Sequence, residues 1–123
     1  MYKAAVALKT YFSGFGVPAY AENSVPDNVE LPYITYSQGV PEWNQKATMY
    51  VRVWDRTKSN AWIMKKADQI TADIGVQKKL TLDDGDGYLV IWPETPLTQI
   101  QTDGDYRYAY ISLSVNTYQL PGV

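Results

Sequence analysis

An α+β domain is the fold class the sequence predicts, with a largely antiparallel sheet of about five strands and two helices packed on one face. Three observations carry this expectation. Residues 46 to 55 and 106 to 118 alternate apolar and polar side chains with the period of a half-buried strand. Residues 2 to 15 and 59 to 74 instead space their apolar side chains three and four apart, the mark of an amphipathic helix. The order helix, strands, helix, strands also lacks the regular alternation that builds a parallel, doubly wound sheet. With 123 residues the chain fits a single domain, 1 to 123, and folding should bury roughly two thirds of the surface an unfolded chain of this size exposes.

In the first helix the stripe is Ala5, Leu8, Phe12 and Phe15, and Gly14 and Gly16 stop it. A short strand is expected around Ala19 to Glu22, then a polar loop bracketed by Pro26 and Pro32. Residues 31 to 39, LPYITYSQG, form a strand ended by Gly39, and residues 40 to 44 make the connection. The strand KATMYVRVWD, 46 to 55, directs Ala47, Met49, Val51 and Val53 to the core and Thr48, Tyr50, Arg52 and Trp54 away from it. In the second helix Ile63, Ala67, Ile70 and Ile74 form the buried stripe, Ser59 is the N-cap and Gly75 the C-terminal cap. Trp62 and Met64 flank the stripe, as core rim or as contact points for a neighbouring molecule. Strands follow at about Lys79 to Leu82, at Tyr88 to Trp92 and at Tyr106 to Tyr118. The last turns Ala109, Ile111, Leu113 and Val115 inward, and Tyr106, Tyr108, Tyr110, Ser112 and Ser114 outward. Residues 119 to 123 read as a tail leaving the sheet, since Pro121 has no amide proton for a ladder.

Composition narrows the functional classes. With no Cys and no His, a zinc site of the usual kind, a cysteine nucleophile, a Ser-His-Asp triad and a histidine general base are all excluded. Paired-carboxylate chemistry is left open by 13 Asp plus Glu. A formal charge of -2 and scattered basic residues give no footprint for nucleic acid. No apolar stretch approaches the roughly 20 residues of a membrane span, and the start of the chain lacks a secretory signal, so the protein is expected to begin at Met1. The 11 Tyr and 4 Trp against 2 Phe point to half-buried sheet faces and interfaces, because these rings join a large apolar body to a polar tip.

LDDGDGYLVIW, residues 82 to 92, raises the question of a calcium loop. Counted from Asp83, the third and fifth ligand positions fall on Gly85 and Gly87; counted from Asp84, the fifth and sixth fall on Tyr88 and Leu89. Neither register works, and a strand follows where an EF-hand needs a helix. Asp84-Gly85 and Asp86-Gly87 are hairpin dipeptides instead, as is the Thr102-Asp103-Gly104-Asp105 cluster before the last strand. No metal and no cofactor are expected.

The order of segments resembles a known family. A short N-terminal helix leads through a loop to Leu31-Pro32-Tyr33-Ile34-Thr35-Tyr36, a strand ends in Val53-Trp54-Asp55-Arg56, an amphipathic helix begins near Ser59, and a long strand closes the chain. This is similar to the tail terminator or tail completion proteins of long-tailed bacteriophages and prophages, and the likeness covers nearly the whole chain. It implies a structural protein rather than an enzyme: a ring, commonly hexameric, that ends the tail tube and joins it to the head or neck. The implied partners are further copies of the chain, tail tube protein and head or neck proteins, in a virion tail assembled in the host cytoplasm. Strand alternation, not the family, nominates the contact residues: Tyr50, Arg52 and Trp54 with Tyr106, Tyr108 and Tyr110. Alternatives are a head completion or neck connector protein of the same phages, a carbohydrate-binding module with aromatic rings set along a sheet, and an enzyme using two carboxylates.

Overall fold

The computed structural model describes residues 2–37, 45–56, 59–82 and 87–119. The chain is a mixed α+β fold: α1 (Tyr2–Phe12), a 3-10 turn (Ser13–Phe15), β1 (Ala19–Ala21), β2 (Tyr33–Tyr36), β3 (Lys46–Asp55), α2 (Ala61–Ile74), β4 (Lys78–Thr81), β5 (Gly87–Asp103) and β6 (Tyr106–Gln119). Among the described residues the strands form a sheet of six, where about five were expected, in the order β1-β2-β3-β6-β5-β4. Pairing is antiparallel except between β1 and β2, which run parallel.

Alternation places the core as expected. Met49, Val51 and Val53 of β3 and Ala109, Ile111, Leu113 and Val115 of β6 are fully buried, and the cross-strand register sets Met49 opposite Leu113 and Val51 opposite Ile111. Ile63, Ala67, Ile70 and Ile74 of α2 join the same cluster. So do Leu8, Phe12 and Phe15, but the fourth residue of that stripe is Ala4, not Ala5. A helix advances 3.6 residues per turn, so Ala4, Leu8 and Phe12 align at intervals of four, while Ala5 rotates to the flank. Gly16 takes φ 84 and ends the 3-10 turn, which an L side chain would resist.

At α2 the cap residue is Asn60 rather than Ser59, and its side chain makes no capping bond; the Ser59 hydroxyl instead accepts the Ala61 N–H at 3.2 Å. Gly75 closes the helix at φ 58, its N–H donating to the Thr71 carbonyl. Trp62 packs against the core and Met64 is exposed.

The larger departure is β5. The expected strand from Tyr88 to Trp92 continues to Asp103, through a register shift between Pro93 and Thr98, and pairs with nearly the whole of β6. Asp103 pairs with Tyr106 across Gly104, at φ 61, and Asp105. β4 and β5 pair antiparallel from Lys78↔Ile91 to Thr81↔Tyr88, so the acidic stretch at 83 to 86, itself outside the described residues, joins two strands of a hairpin. The stop at Gly39, the connection at 40 to 44 and residues 120 to 123 of the expected tail also fall outside the described residues, while Gln119, expected to leave the sheet with that tail, instead pairs with Gly87.

Candidate functional site, an aromatic sheet face

Side chains of α1 and α2 join Met49, Val51, Val53, Ile111 and Leu113 in one buried cluster. On the other side of β3 and β6 the sequence places polar and aromatic residues, and register decides which of them meet. Arg52 pairs with Tyr110, Trp54 with Tyr108 and Tyr50 with Ser112, so Tyr50, Arg52, Trp54, Tyr108 and Tyr110 share one surface of β3 and β6, with Tyr106 at the start of β6.

The rings interlock across strands. Trp54 and Tyr108 have centroids 4.5 Å apart, and Tyr50 stacks on Tyr110 at 5.1 Å. The Arg52 guanidinium lies over the Tyr110 ring at 5.1 Å and over Tyr108 at 5.7 Å, and donates to Glu22 Oε1 at 2.9 Å. Arg56 sits over Tyr106 at 5.0 Å and donates to its hydroxyl at 3.0 Å. The Tyr108 hydroxyl donates to Gln101 at 2.8 Å. Each arginine therefore spends its plane on a ring and its edge on an acceptor, a combination lysine does not offer. Tyr50 and Tyr106 each keep 37% of their surface exposed, while Tyr108, Tyr110, Arg52 and Trp54 are half-buried.

Sequence reasoning stopped short of the full extent of this surface. Tyr33 stacks on the far side of Trp54 at 6.3 Å and Tyr20 meets Tyr33 at 6.2 Å, extending the row through β2 to β1. The Trp54 indole N–H donates to the Thr35 hydroxyl at 2.9 Å, which satisfies a threonine only 5% exposed. At the other end Tyr88 stacks on Tyr118 at 5.1 Å beneath Lys79, 4.4 Å from the Tyr88 centroid. These two rings line a cavity of about 720 Å³ with Val76, Gln77, Val90 and Trp92. The alternation that nominated Tyr106 to Tyr110, carried on by twos, reaches Tyr118; Tyr33 and Tyr88 lie on neighbouring strands and needed the register.

One outward residue is misjudged by alternation alone. Ser114 was expected to face solvent but is 1% exposed, because Glu94 of β5 covers it and accepts its hydroxyl proton. Lys46 approaches the same carboxylate at 3.7 Å and lies 5.5 Å from the Trp92 ring centre.

Burial raises the hydroxyl pKa of Tyr33, with Tyr106 adding to it, and burial likewise raises that of Tyr110, with Tyr50 second and Arg52 opposing. Both hydroxyls stay protonated at neutral pH and act as hydrogen-bond donors rather than bases. Among the described residues no three acidic side chains converge on a point that could hold a metal ion, and no helix there is long and apolar enough to cross a membrane. What the surface offers is rigid ring area, oriented guanidinium groups and hydroxyl donors, the equipment of a contact surface.

No family model matches the sequence, and no curated protein matches it. Among solved structures, the fold is similar to that of a chain aligned over 98% of this protein and 94% of its own length, with TM-score 0.59 at 13% identity. That likeness extends over the whole domain and, at such identity, concerns the fold alone.

Proposed function

We propose that the chain is a structural assembly protein of a long phage tail, a ring subunit that ends the tail tube and joins it to the head or neck. The observation that supports this reading best is the aromatic and arginine surface running from Tyr33 through Trp54 and Tyr108 to Tyr110 on the side of the sheet away from the helical core. Tyr50 and Tyr106 stand out from it. A head-to-tail ring needs a rigid patch that loses little side-chain entropy on contact, and interlocked Tyr, Trp and Arg supply one.

The geometry favours protein contact over sugar binding. Tyr50 and Tyr110 turn their ring faces toward each other at 27°, and Tyr88 and Tyr118 do so at 25°. A sugar platform needs those faces free. A head completion protein of the same phages would use the same surface and differ only in the molecule it meets.

Native mass spectrometry of the purified chain, with and without tail tube protein, tests the reading. A ring that forms or closes on the tube is expected, and Tyr50→Asp combined with Tyr106→Asp should abolish it while circular dichroism stays unchanged. A wild-type chain that ignores tube protein at high concentration would remove the terminator reading, and capture of head or neck protein in its place would favour the connector.

A further inference from the structure

The two edges of the sheet end differently. At β1 the parallel pairing uses the backbone of Tyr20, so the carbonyls of Ala19 and Ala21 point away from the sheet. Both are already taken: the Lys9 ammonium donates to Ala19 O, and the Ser24 N–H donates to Ala21 O at 2.8 Å. The outward carbonyls of that edge are thus taken up from within the chain.

At the opposite edge β4 covers β5 only from Tyr88 to Ile91. From Thr98 to Asp103, β5 has β6 on one side and no described strand on the other. Asp103 and Tyr106 close the turn, and a hairpin with a two-residue loop hydrogen-bonds its closing pair. Counting back by twos, Asp103, Gln101 and Gln99 direct their N–H and C=O groups to β6. Those of Thr98, Ile100 and Thr102 therefore face outward, and no described backbone group meets them. Edges of this kind are usually blunted by lysine, proline or a bulge. β4 carries Lys78 and Lys79; Thr98 to Thr102 carries none of these.

The open segment also reads the same in both directions: Thr98-Gln99-Ile100-Gln101-Thr102. We propose that it pairs with the same segment of a second copy, antiparallel about a two-fold axis at Ile100. In that register Ile100 meets Ile100 and Thr98 meets Thr102, and these are the residues whose backbone groups face outward, so each pair exchanges two N–H···O bonds. Gln99 meets Gln101 on the aromatic side of the sheet. The segment is uncharged, so no like charges oppose each other. The antiparallel direction carries the Asp103-Gly104-Asp105 tip of each copy along the edge toward the Lys78-Lys79 strand of the other, which adds opposite charges at both ends of the contact. Such a contact is isologous and closes as a dimer. It uses the backbone edge of β5 rather than the faces of β3 and β6, and adjoins the ring surface at Gln101, which accepts the Tyr108 hydroxyl.

The lack of cysteine makes a direct test clean. Chains carrying Gln99→Cys and chains carrying Gln101→Cys, mixed and oxidised, are expected to cross-link with each other several-fold faster than either does alone, because only the mixed pair lies directly opposite. Thr102→Pro removes an outward N–H that β6 does not use, and should raise the concentration for half-dimerisation by about tenfold or more in light scattering. If that proline disturbs the fold, Gln99→Lys with Gln101→Lys sets lysine against lysine and should weaken the dimer, whereas Gln99→Lys with Gln101→Glu should restore it. A wild-type chain that stays monomeric at millimolar concentration, or equal cross-linking in mixed and unmixed samples, overturns the proposal. Neither outcome bears on tube binding, which is read with tail tube protein present and through Tyr50 and Tyr106.

Discussion

The two faces of the central β3-β6 pair solve opposite problems with the same strands. On the helix side, Met49, Val51, Val53, Ile111 and Leu113 have no exposure and meet helical side chains of similar character. One residue along, the other side presents Tyr50, Arg52, Trp54, Tyr108 and Tyr110, which meet chiefly one another. The first face gains its stability by removing aliphatic surface from water. The second gains less from burial and more from ring packing and charge-assisted bonds, and it leaves contact area in reserve. A single strand pair thus separates an aliphatic core face from an aromatic and arginine face by parity alone.

The largest effect that would sharpen this contrast comes from the helix side. Leu113→Ala should cost about 3 kcal/mol in urea unfolding, through lost transfer energy and a cavity that the surrounding side chains fill incompletely. Trp54→Ala on the opposite face should cost about 2 kcal/mol, since it removes contacts to Tyr33 and Tyr108 and leaves the buried Thr35 hydroxyl without its donor. A Trp54→Ala penalty equal to that of Leu113→Ala would break the contrast and make the aromatic face part of the core. Arg52→Ala should cost only about 0.5 kcal/mol of stability, its ring contacts and its bond to Glu22 being partly solvated, yet should weaken ring assembly markedly. Unchanged assembly with a large loss of stability would reverse that assignment.

The smallest effect belongs to the seam between the helices and β4. The Tyr11 hydroxyl donates to Asp73 at 2.6 Å, and that bond, with Lys78 nearby, holds the Asp73 carboxyl below its usual range against an opposing desolvation cost. Tyr11 is raised in turn, by burial first and by Asp73 second. Because the folded pKa of Asp73 is depressed, its contribution is present above the unfolded carboxylate range, near pH 4, and fades as pH falls through the lower folded value. Tyr11→Phe should therefore give a shallower loss of stability on acidification below about pH 4 than the wild type shows. An identical acid limb in both proteins would count against this linkage.

Much of the fold is legible because its rules are local. Strand β3 and the inward set of β6 follow from alternation, and the α2 stripe from a spacing of three and four. The same rules slip by one residue at α1, where Ala4 and Ala5 are equivalent in composition and only the packing of Leu8 and Phe12 on the sheet chooses between them. They fail at the second half of β5. Pro93, Pro96 and the polar run Thr98 to Thr102 look like loop, yet the segment is held in the sheet by β6 across a shift in register. Ser114 fails for a related reason: its cover, Glu94, comes from that same unforeseen stretch.

By itself the sequence determined the α+β class, the aliphatic core and the parity that separates Tyr50, Arg52 and Trp54 from their buried neighbours, because periods of 2 and 3.6 are properties of the backbone. Only the tertiary structure decided which rings touch, where β5 ends and which part of the sheet edge no described strand covers. Those features depend on the register between strands far apart in the chain, and register is set by the packing of the whole sheet rather than by any one segment.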